Sequence, residues 1–254
     1  MDNDAFYTLP FRGRALHAML LAAGFGTRLK PFTEHHPKAL AEVNGKSLLQ
    51  RNLEYLQQFG IYNVVVNVHH FAEQIIQAIK EHNGWGSNVS ISDETGVILE
   101  TGGGLRKAAQ FFKEEEDFVL MNVDVLTDLP LNNIIAFHKK NKPLATLATT
   151  SRETSRYFLF NAENVLCGWK NIKTGEEKIM RYENNLKPKA FSGLHIINTA
   201  IFSLMNQQGI KFSMVDVYLS LCASYTILSF DHSQTKFIDV GRPENIKKAA
   251  ALFS

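Results

Sequence analysis

Leu21-Ala-Ala-Gly-Phe-Gly-Thr-Arg-Leu-Lys-Pro-Phe-Thr-Glu-His-His-Pro-Lys38 is the stretch that decides the fold of this chain. It follows a short apolar run, His17-Ala-Met-Leu-Leu21, which predicts a buried strand running into a loop. Gly24 and Gly26 lack a Cβ and can take φ > 0, so backbone N–H groups there can approach an anion closely. Thr27 adds a hydroxyl donor. Arg28 adds a planar fork suited to phosphate oxygens, and Lys38 a second positive charge. These are the parts needed to hold a triphosphate without covalent chemistry. The string GxxxxGK[ST] of a P-loop does not occur, and the third glycine of GxGxxG is replaced by Leu29. The remaining alternative is a plain strand-to-helix turn with solvated charges. The full string, with Pro31, Thr33 and Pro37-Lys38, is far more specific than a bare GxG.

Outward from this loop, apolar spacing predicts helices over 48–59, 71–79, 103–112 and 131–140. Strands are predicted over 63–68, 88–92, 118–122 and 145–150. Alternating strands and helices imply an α/β fold with a mixed, mainly parallel sheet and helices on both faces. The pattern changes after Ser151. Strand-like runs at 157–160, 165–169, 178–181 and 190–197, separated by turn signals, predict a small β-rich lobe. Helices at 199–208 and 214–223, strands at 226–230 and 237–240 and a helix at 243–252 close the chain. Residues 1–16 form an N-terminal extension without a clear period. Residues 17–254 are expected to form one domain, with a first part at 17–150 and a second at 151–254. The last helix ends two residues before Ser254, so no appended domain is expected.

Asp124 follows the apolar strand 118–122, at the strand end where open α/β sheets bind ligands. Mg²⁺ prefers one or two carboxylates plus phosphate oxygens and water, so a partner carboxylate is wanted. Asp239, in Phe237-Ile-Asp-Val-Gly-Arg-Pro-Glu244, also lies at the end of a strand and before a helix. A lone Asp after a strand is usually a turn former or cap, and Asp128 and Asp216 fit that role.

The loop 21–38 resembles the signature of sugar-phosphate nucleotidyltransferases, the NDP-sugar pyrophosphorylase family, whose pattern is similar to LAAGxGTRLxPxTxxxPKxL. Every fixed position is filled through Leu40. Val43-Asn-Gly-Lys-Ser-Leu-Leu49 resembles the next stretch, with Ser47 where a proline is usual. The motif around Asp239 resembles DVGTPE, with Arg242 for the threonine. The resemblance implies a nucleotide-diphospho-sugar transferase (Rossmann-like) fold. It also implies a reaction in which NTP plus sugar 1-phosphate gives NDP-sugar plus pyrophosphate, with Mg²⁺ as cofactor on Asp124 and Asp239. Arg28, Lys38 and Asp124 are the expected catalytic residues: Arg28 on the leaving pyrophosphate, Lys38 near the α-phosphate. Ala22, Ala23, Gly24, Gly26, Thr27 and Arg28 are expected to bind the nucleotide.

Leu99-Glu-Thr-Gly-Gly-Gly-Leu105 resembles the second nucleotide element, which adds Thr101 and Gly102. Its alternative reading is a helix start preceded by flexible turn residues. Asn67, and less so His69, can face the base from the end of strand 63–68. Asn122 is expected at the ribose or sugar, although Val123 is bulkier than the Gly or Ala usual beside the metal aspartate. In Phe191-Ser-Gly-Leu-His195, Gly193 resembles the glycine that lets the sugar lie on the backbone, and Ser192 can bond a sugar hydroxyl. Many relatives carry a Glu-Lys-Pro element that binds the sugar and its phosphate; here Glu176-Glu-Lys178 is followed by Ile179. LETGGG with FSG resembles most the N-acetylmuramate-1-phosphate uridylyltransferases of cell-wall recycling, which favours UTP. It also resembles the mannose-1-phosphate guanylyltransferases that use GTP. A non-catalytic NDP-sugar-binding module would typically lose Arg28, Lys38 or an aspartate. A glycosyltransferase would want a DxD motif, and Asn122-Val-Asp124 supplies one carboxylate.

Composition sets outer bounds. Twenty-seven Lys and Arg against 25 Asp and Glu give a net charge of +2, which argues against a general nucleic-acid or membrane-surface binder. No apolar run reaches membrane-spanning length, and residues 1–16 lack the apolar core of a signal peptide, so a cytoplasmic protein is expected. Cys167 and Cys222 show no CxxC spacing and read as two buried thiols.

Overall fold

A five-residue apolar strand opens the fold in the computed structural model, which describes residues 16–205 and 209–254. Along the chain follow β1 (His17–Leu21), β2 (Glu42–Val43), β3 (Lys46–Ser47), α1 (Leu48–Gln57), β4 (Asn63–Val68), α2 (Ala72–Glu81) and β5 (Asn88–Asp93). Next come α3 (Glu100–Lys107), β6 (Asp117–Asn122), β7 (Val125–Thr127), α4 (Leu131–Asn141) and β8 (Ala145–Thr150). The second half adds β9 (Arg156–Phe160), β10 (Leu166–Asn171), β11 (Glu176–Ile179), β12 (Lys187–Asn198), α5 (Ile201–Leu204), α6 (Met214–Leu221), β13 (Ile227–Asp231), β14 (Phe237–Asp239) and α7 (Pro243–Leu252). Residues 1–15 of the predicted extension and the predicted helical residues 206–208 lie outside the described residues.

β1 pairs in parallel with β4 and β6, and β4 with β5. Parallel strands need apolar side chains on both faces because helices cover both. β1 meets that need by alternation. Ala18 and Leu20 pack with Leu49, Leu53 and Leu56 of α1, Ile75 of α2 and Ile134 of α4. Met19 packs on the other face with Leu105 of α3 and Val217 and Tyr218 of α6. Leu49, Leu53 and Leu56 are fully buried, which stabilises the fold by roughly 1.5–3 kcal/mol each relative to exposure. A third cluster joins Leu29, Ala41, Val43, Leu48, Leu126, Val240 and Ala249, and so pins the stretch after the glycine loop beneath α7.

β12 departs from the predicted lobe. Its last residues, 194–198, pair antiparallel with β6, while 190–197 pair with β8, so this strand is central to the main sheet. Only 187–189 pair with β9, which carries β10 and β11 outward as the small β-rich lobe. The sheet is continuous through twelve residues of one strand. β13 lies parallel to β8.

Three local corrections have physical causes. The helix predicted at 103–112 begins at Glu100, so the triple glycine lies inside α3, and 108–112 form a 3-10 turn. β7 is missed by periodicity because it has three residues and follows β6 closely. The helix predicted at 199–208 is confined to Ile201–Leu204 among the described residues. Ser47, where proline is usual, caps α1: its Oγ accepts from the Gln50 N–H at 3.1 Å. Asp216 belongs to the capping box of α6 with Ser213, and Asp128 accepts from the Lys236 N–H at 2.7 Å. Cys167 and Cys222 are free, buried thiols, and burial pushes that of Cys222 up to about 11. No helix among the described residues is long and apolar enough to cross a membrane.

Candidate active site

The glycine loop leaves β1 and bends back on itself at Gly26, whose φ is 62°. A Cβ there would lie 2.9 Å from Thr33 Cγ2 and 3.0 Å from Lys38 Cβ, so glycine is demanded by the packing of the loop as well as by its φ. The Gly26 carbonyl accepts from Thr33 Oγ1 at 2.9 Å and from the Leu29 N–H at 2.8 Å. At Gly24 a Cβ would meet nothing within 4 Å. Among the described residues, the N–H groups of Ala23, Gly24, Phe25 and Gly26 donate to no other group. Backbone donors left unpaired in a tight loop form an anion cradle. Thr27 and Arg28 begin the 3-10 turn beyond it, both exposed.

Ala22, Ala23, Gly24, Gly26 and Lys38 line one side of a cleft of about 210 Å³, and Asn122, Val123 and Asp124 another. Lys38 Nζ is paired with Asp124. Asp239 lies against the same corner because β14 pairs antiparallel with β7, setting Asp239 opposite Val125. The Val240 N–H donates to the Asp124 carbonyl at 2.8 Å. Arg28 Nη2 stands 3.7 Å from Asp239 Oδ2. Gly241, in the motif after Asp239, admits this contact: a Cβ would lie 2.6 Å from both Arg28 Nη2 and Asp239 Oδ1. Asp239 Oδ1 also accepts from the Gly241 N–H at 2.7 Å. Arg242, replacing the motif's threonine, provides no side-chain cap for α7 and stands 3.7 Å from Glu244. Thus the structure brings Arg28, Lys38, Asp124 and Asp239 together as two cation–carboxylate pairs. Among the described residues no three His, Cys, Asp or Glu side chains form a metal cage. The all-oxygen pair Asp124 and Asp239 fits a hard divalent cation that takes its other ligands from phosphate and water.

The opposite wall holds the predicted base residues and one that sequence reading missed. Asn67 lines the cleft, but both ends of its amide are engaged: Oδ1 accepts from the Ala22 N–H and Nδ2 donates to Glu94 Oε1, each at 2.7 Å. Asn67 is therefore a brace of the wall, and the Ala22 N–H is not open to a ligand. Glu94 is 1% exposed and lines the same wall, and burial pushes its carboxyl up against the opposing hydrogen bond from Asn67. Gly104 makes room for it: a Cβ there would lie 2.5 Å from Glu94 Oε1. Thr101 lines the cleft while its Oγ1 accepts from the Met214 N–H at 2.9 Å. Gly102 is not at the cleft. Its N–H donates to the Phe212 carbonyl, and a Cβ would lie 2.5 Å from the Phe212 ring. Gly103 meets the Ile210 carbonyl in the same way. The triple glycine lets α3 pack closely, which corrects its reading as room for the base. The His69 ring packs edge-on against Phe25 at 5.5 Å.

The predicted sugar residues divide. Asn122 lines the cleft. Gly193 has φ 74° at an irregularity of β12, and a Cβ there would lie 2.7 Å from Asn122 Nδ2. Ser192 is 2% exposed, and its Oγ bonds His232 Nε2 at 2.7 Å, so its hydroxyl serves the core rather than a sugar. Lys178 of β11, three strands from β12 in the sheet order, is paired with Glu176 at 3.3 Å and lies over Trp169 of β10. Val123 is 3% exposed and packs into the core, with its carbonyl held by Asn52 Nδ2 at 2.8 Å.

The family model described as nucleotidyl transferase matches residues 17–252. Mannose-1-phosphate guanyltransferase of Yarrowia lipolytica is 29% identical over 241 residues, covering 94% of this chain and 64% of that protein. The chain thus spans a little under two thirds of that relative's length. N-acetylmuramate alpha-1-phosphate uridylyltransferase of Caulobacter vibrioides is 43% identical over 109 residues, 42% of this chain and 45% of that one. Among solved structures, HddC from Yersinia pseudotuberculosis complexed with GMP-PN superposes with a TM-score of 0.74 at 23% identity, covering 94% of this chain and all of that one. A putative glucose-1-phosphate thymidylyltransferase from Bacillus anthracis does so with a TM-score of 0.79 at 15% identity, covering 94% and 95%. The fold is therefore that of the nucleotide-diphospho-sugar transferases. With the glycine loop, both aspartate motifs and nearly the whole length inside the match, the chain belongs to the nucleotidyl transferase family.

Proposed function

We propose that this protein transfers a nucleotidyl group from an NTP to a sugar 1-phosphate, giving an NDP-sugar and pyrophosphate. The observation that carries the reading is the corner where Lys38 pairs with Asp124, Arg28 stands by Asp239, and the loop N–H groups are unpaired. A sugar phosphate already carries a nucleophilic oxygen, so the protein has only to position it and neutralise charge. The loop N–H groups hold the triphosphate. Arg28 meets the β- and γ-phosphates, and Lys38 exchanges Asp124 for the α-phosphate, where charge builds up during in-line attack. Bound Mg²⁺ would be held by Asp124 and Asp239 and would supply charge neutralisation between the reacting phosphates.

Uridylyl transfer to N-acetylmuramate 1-phosphate is the first reading for substrates, supported by the 43% identical stretch. Guanylyl transfer to mannose 1-phosphate is the second. It is supported by relatives that match along 94% of the chain, and by Glu94 in the cleft wall, whose carboxyl oxygens can accept from the N–H donors of guanine. Pyrophosphate release from a panel of UTP, GTP, CTP, ATP and dTTP against these sugar phosphates and glucose 1-phosphate tests both. One NTP is expected to dominate. Absence of pyrophosphate with every pair would favour a non-catalytic NDP-sugar-binding module.

A further inference from the structure

Arg152 lies outside every motif named above, two residues after β8. Its Nη2 donates to the Phe191 carbonyl at 2.8 Å, and its guanidinium lies 5.1 Å from the centre of the Phe237 ring. Phe237 and Asp239 are two apart on β14, and side chains two apart on a strand share a face. The guanidinium therefore lies on the face of the ribbon that carries Asp239. The Asp239 carboxylate opposes the effect of burial, which pushes the Arg152 pKa down. Arg152 Nε is buried and, among the described residues, has no hydrogen-bond partner. A buried N–H donor is costly to leave unpaired, and a guanidinium grips oxyanions through parallel N–H groups.

Four other cations are already committed. Lys38 and Arg28 belong to the loop proposed to hold the triphosphate. Lys189 Nζ donates to Asn164 Oδ1 at 2.8 Å and Ser229 Oγ at 3.1 Å. Lys178, which the broken Glu-Lys-Pro element would offer, is held on β11 by Glu176 and by Trp169 of β10. A second phosphate entering beside Asp239 brings more negative charge and requires a cation of its own.

We propose that Arg152 grips the phosphate of the incoming sugar 1-phosphate, taking the place of a lysine from the β-rich lobe. The proposal rests on the nucleotidyl-transfer reading above.

The test uses the full chain with Arg152→Ala and Arg152→Lys. Mannose 1-phosphate and N-acetylmuramate 1-phosphate are the probes, with UTP and GTP as donors. Pyrophosphate release gives KM for each substrate, and titration calorimetry gives sugar-phosphate affinity without turnover. Arg152→Ala should raise both KM and Kd for the sugar 1-phosphate by about tenfold or more, leave KM for the NTP within about twofold, and be partly rescued by lysine. Arg152→Lys keeps a cation and a donor should the alanine variant not fold. Equal rises in both KM values, a lower kcat with unchanged sugar-phosphate KM, or unchanged calorimetric affinity would reduce Arg152 to a strut between β12 and β14 and overturn the proposal. A wild-type chain that binds a sugar 1-phosphate without releasing pyrophosphate would sink the transfer reading, leaving calorimetry to decide Arg152. A wild-type chain that binds neither probe would overturn both.

Discussion

The glycine loop at 24–28 and the bulge around Gly193 use the same kinds of residue in opposite ways. In the loop, N–H groups stay unpaired, a Cβ on Gly24 would meet open space, and each cation leans on a carboxylate that a phosphate can replace. At the bulge, the polar side chains are taken inside. Ser192 bonds His232, His195 Nδ1 meets Tyr218 Oη at 2.5 Å, and Gly193 packs against Asn122. A glycine or serine in a familiar string marks chemistry only where its backbone or hydroxyl remains open to a ligand.

The sharpest way to break this contrast is at Asp124. Asp124→Asn should lower kcat/KM for pyrophosphate release by about 10³-fold, roughly 4 kcal/mol, while the urea midpoint changes little. Near-normal turnover would mean that the loop corner is not where the chemistry occurs. Next comes a pair of glycine substitutions. Gly193→Ala forces a side chain into a left-handed backbone against Asn122 and should destabilise by about 2–4 kcal/mol in urea denaturation. Gly24→Ala should change stability by less than about 1 kcal/mol yet raise KM for the NTP. Equal stability losses at the two sites would erase the distinction.

Acid should act on the bulge. His195 is fully buried and neutral, with its pKa held down at about 3 by desolvation, against the usual 6.5. The unfolded chain takes up the proton first. Stability is therefore complete above pH 6.5 and falls as pH drops towards 3, by about 2 kcal/mol at pH 5 from this residue alone. His232, lowered to about 4 by burial, adds to the loss in the same direction. Urea midpoints at pH 7 and pH 5 measure this, and a flat profile would show that these rings are solvated. The smallest effect is expected at Ser192. Ser192→Ala leaves His232 Nε2 unpaired and should cost about 1–2 kcal/mol of stability, with KM for the sugar 1-phosphate within about twofold. A large rise in that KM would return Ser192 to the sugar site.

The order of strands and helices, and the loop itself, were legible because they depend on neighbours a few residues apart. β4 and β8 fall where β-branched and apolar runs place them, and α7 begins at Pro243 as its first turn allows. Glu94 was hidden because its approach to Asn67 requires the parallel pairing of β4 and β5. The ETGGG stretch misled for a related reason. Helix propensity sends glycine out of a helix, but Phe212, the Ile210 carbonyl and Glu94 occupy the space of three side chains, and tertiary packing overrides propensity.

The sequence by itself determined that a buried strand runs into a loop of open N–H groups and cations, because glycine freedom and charge are properties of the residues themselves. It also determined that two aspartates follow strands. Only the tertiary structure decided that the two aspartate motifs lie side by side, because the antiparallel ribbon of β7 and β14 sets Asp239 opposite Val125, the residue after Asp124. It alone decided which hydroxyls, amides and glycines remain open and which are closed by the core. That outcome depends on hydrogen-bond partners and packed atoms contributed by strands distant in sequence, and no local pattern encodes it.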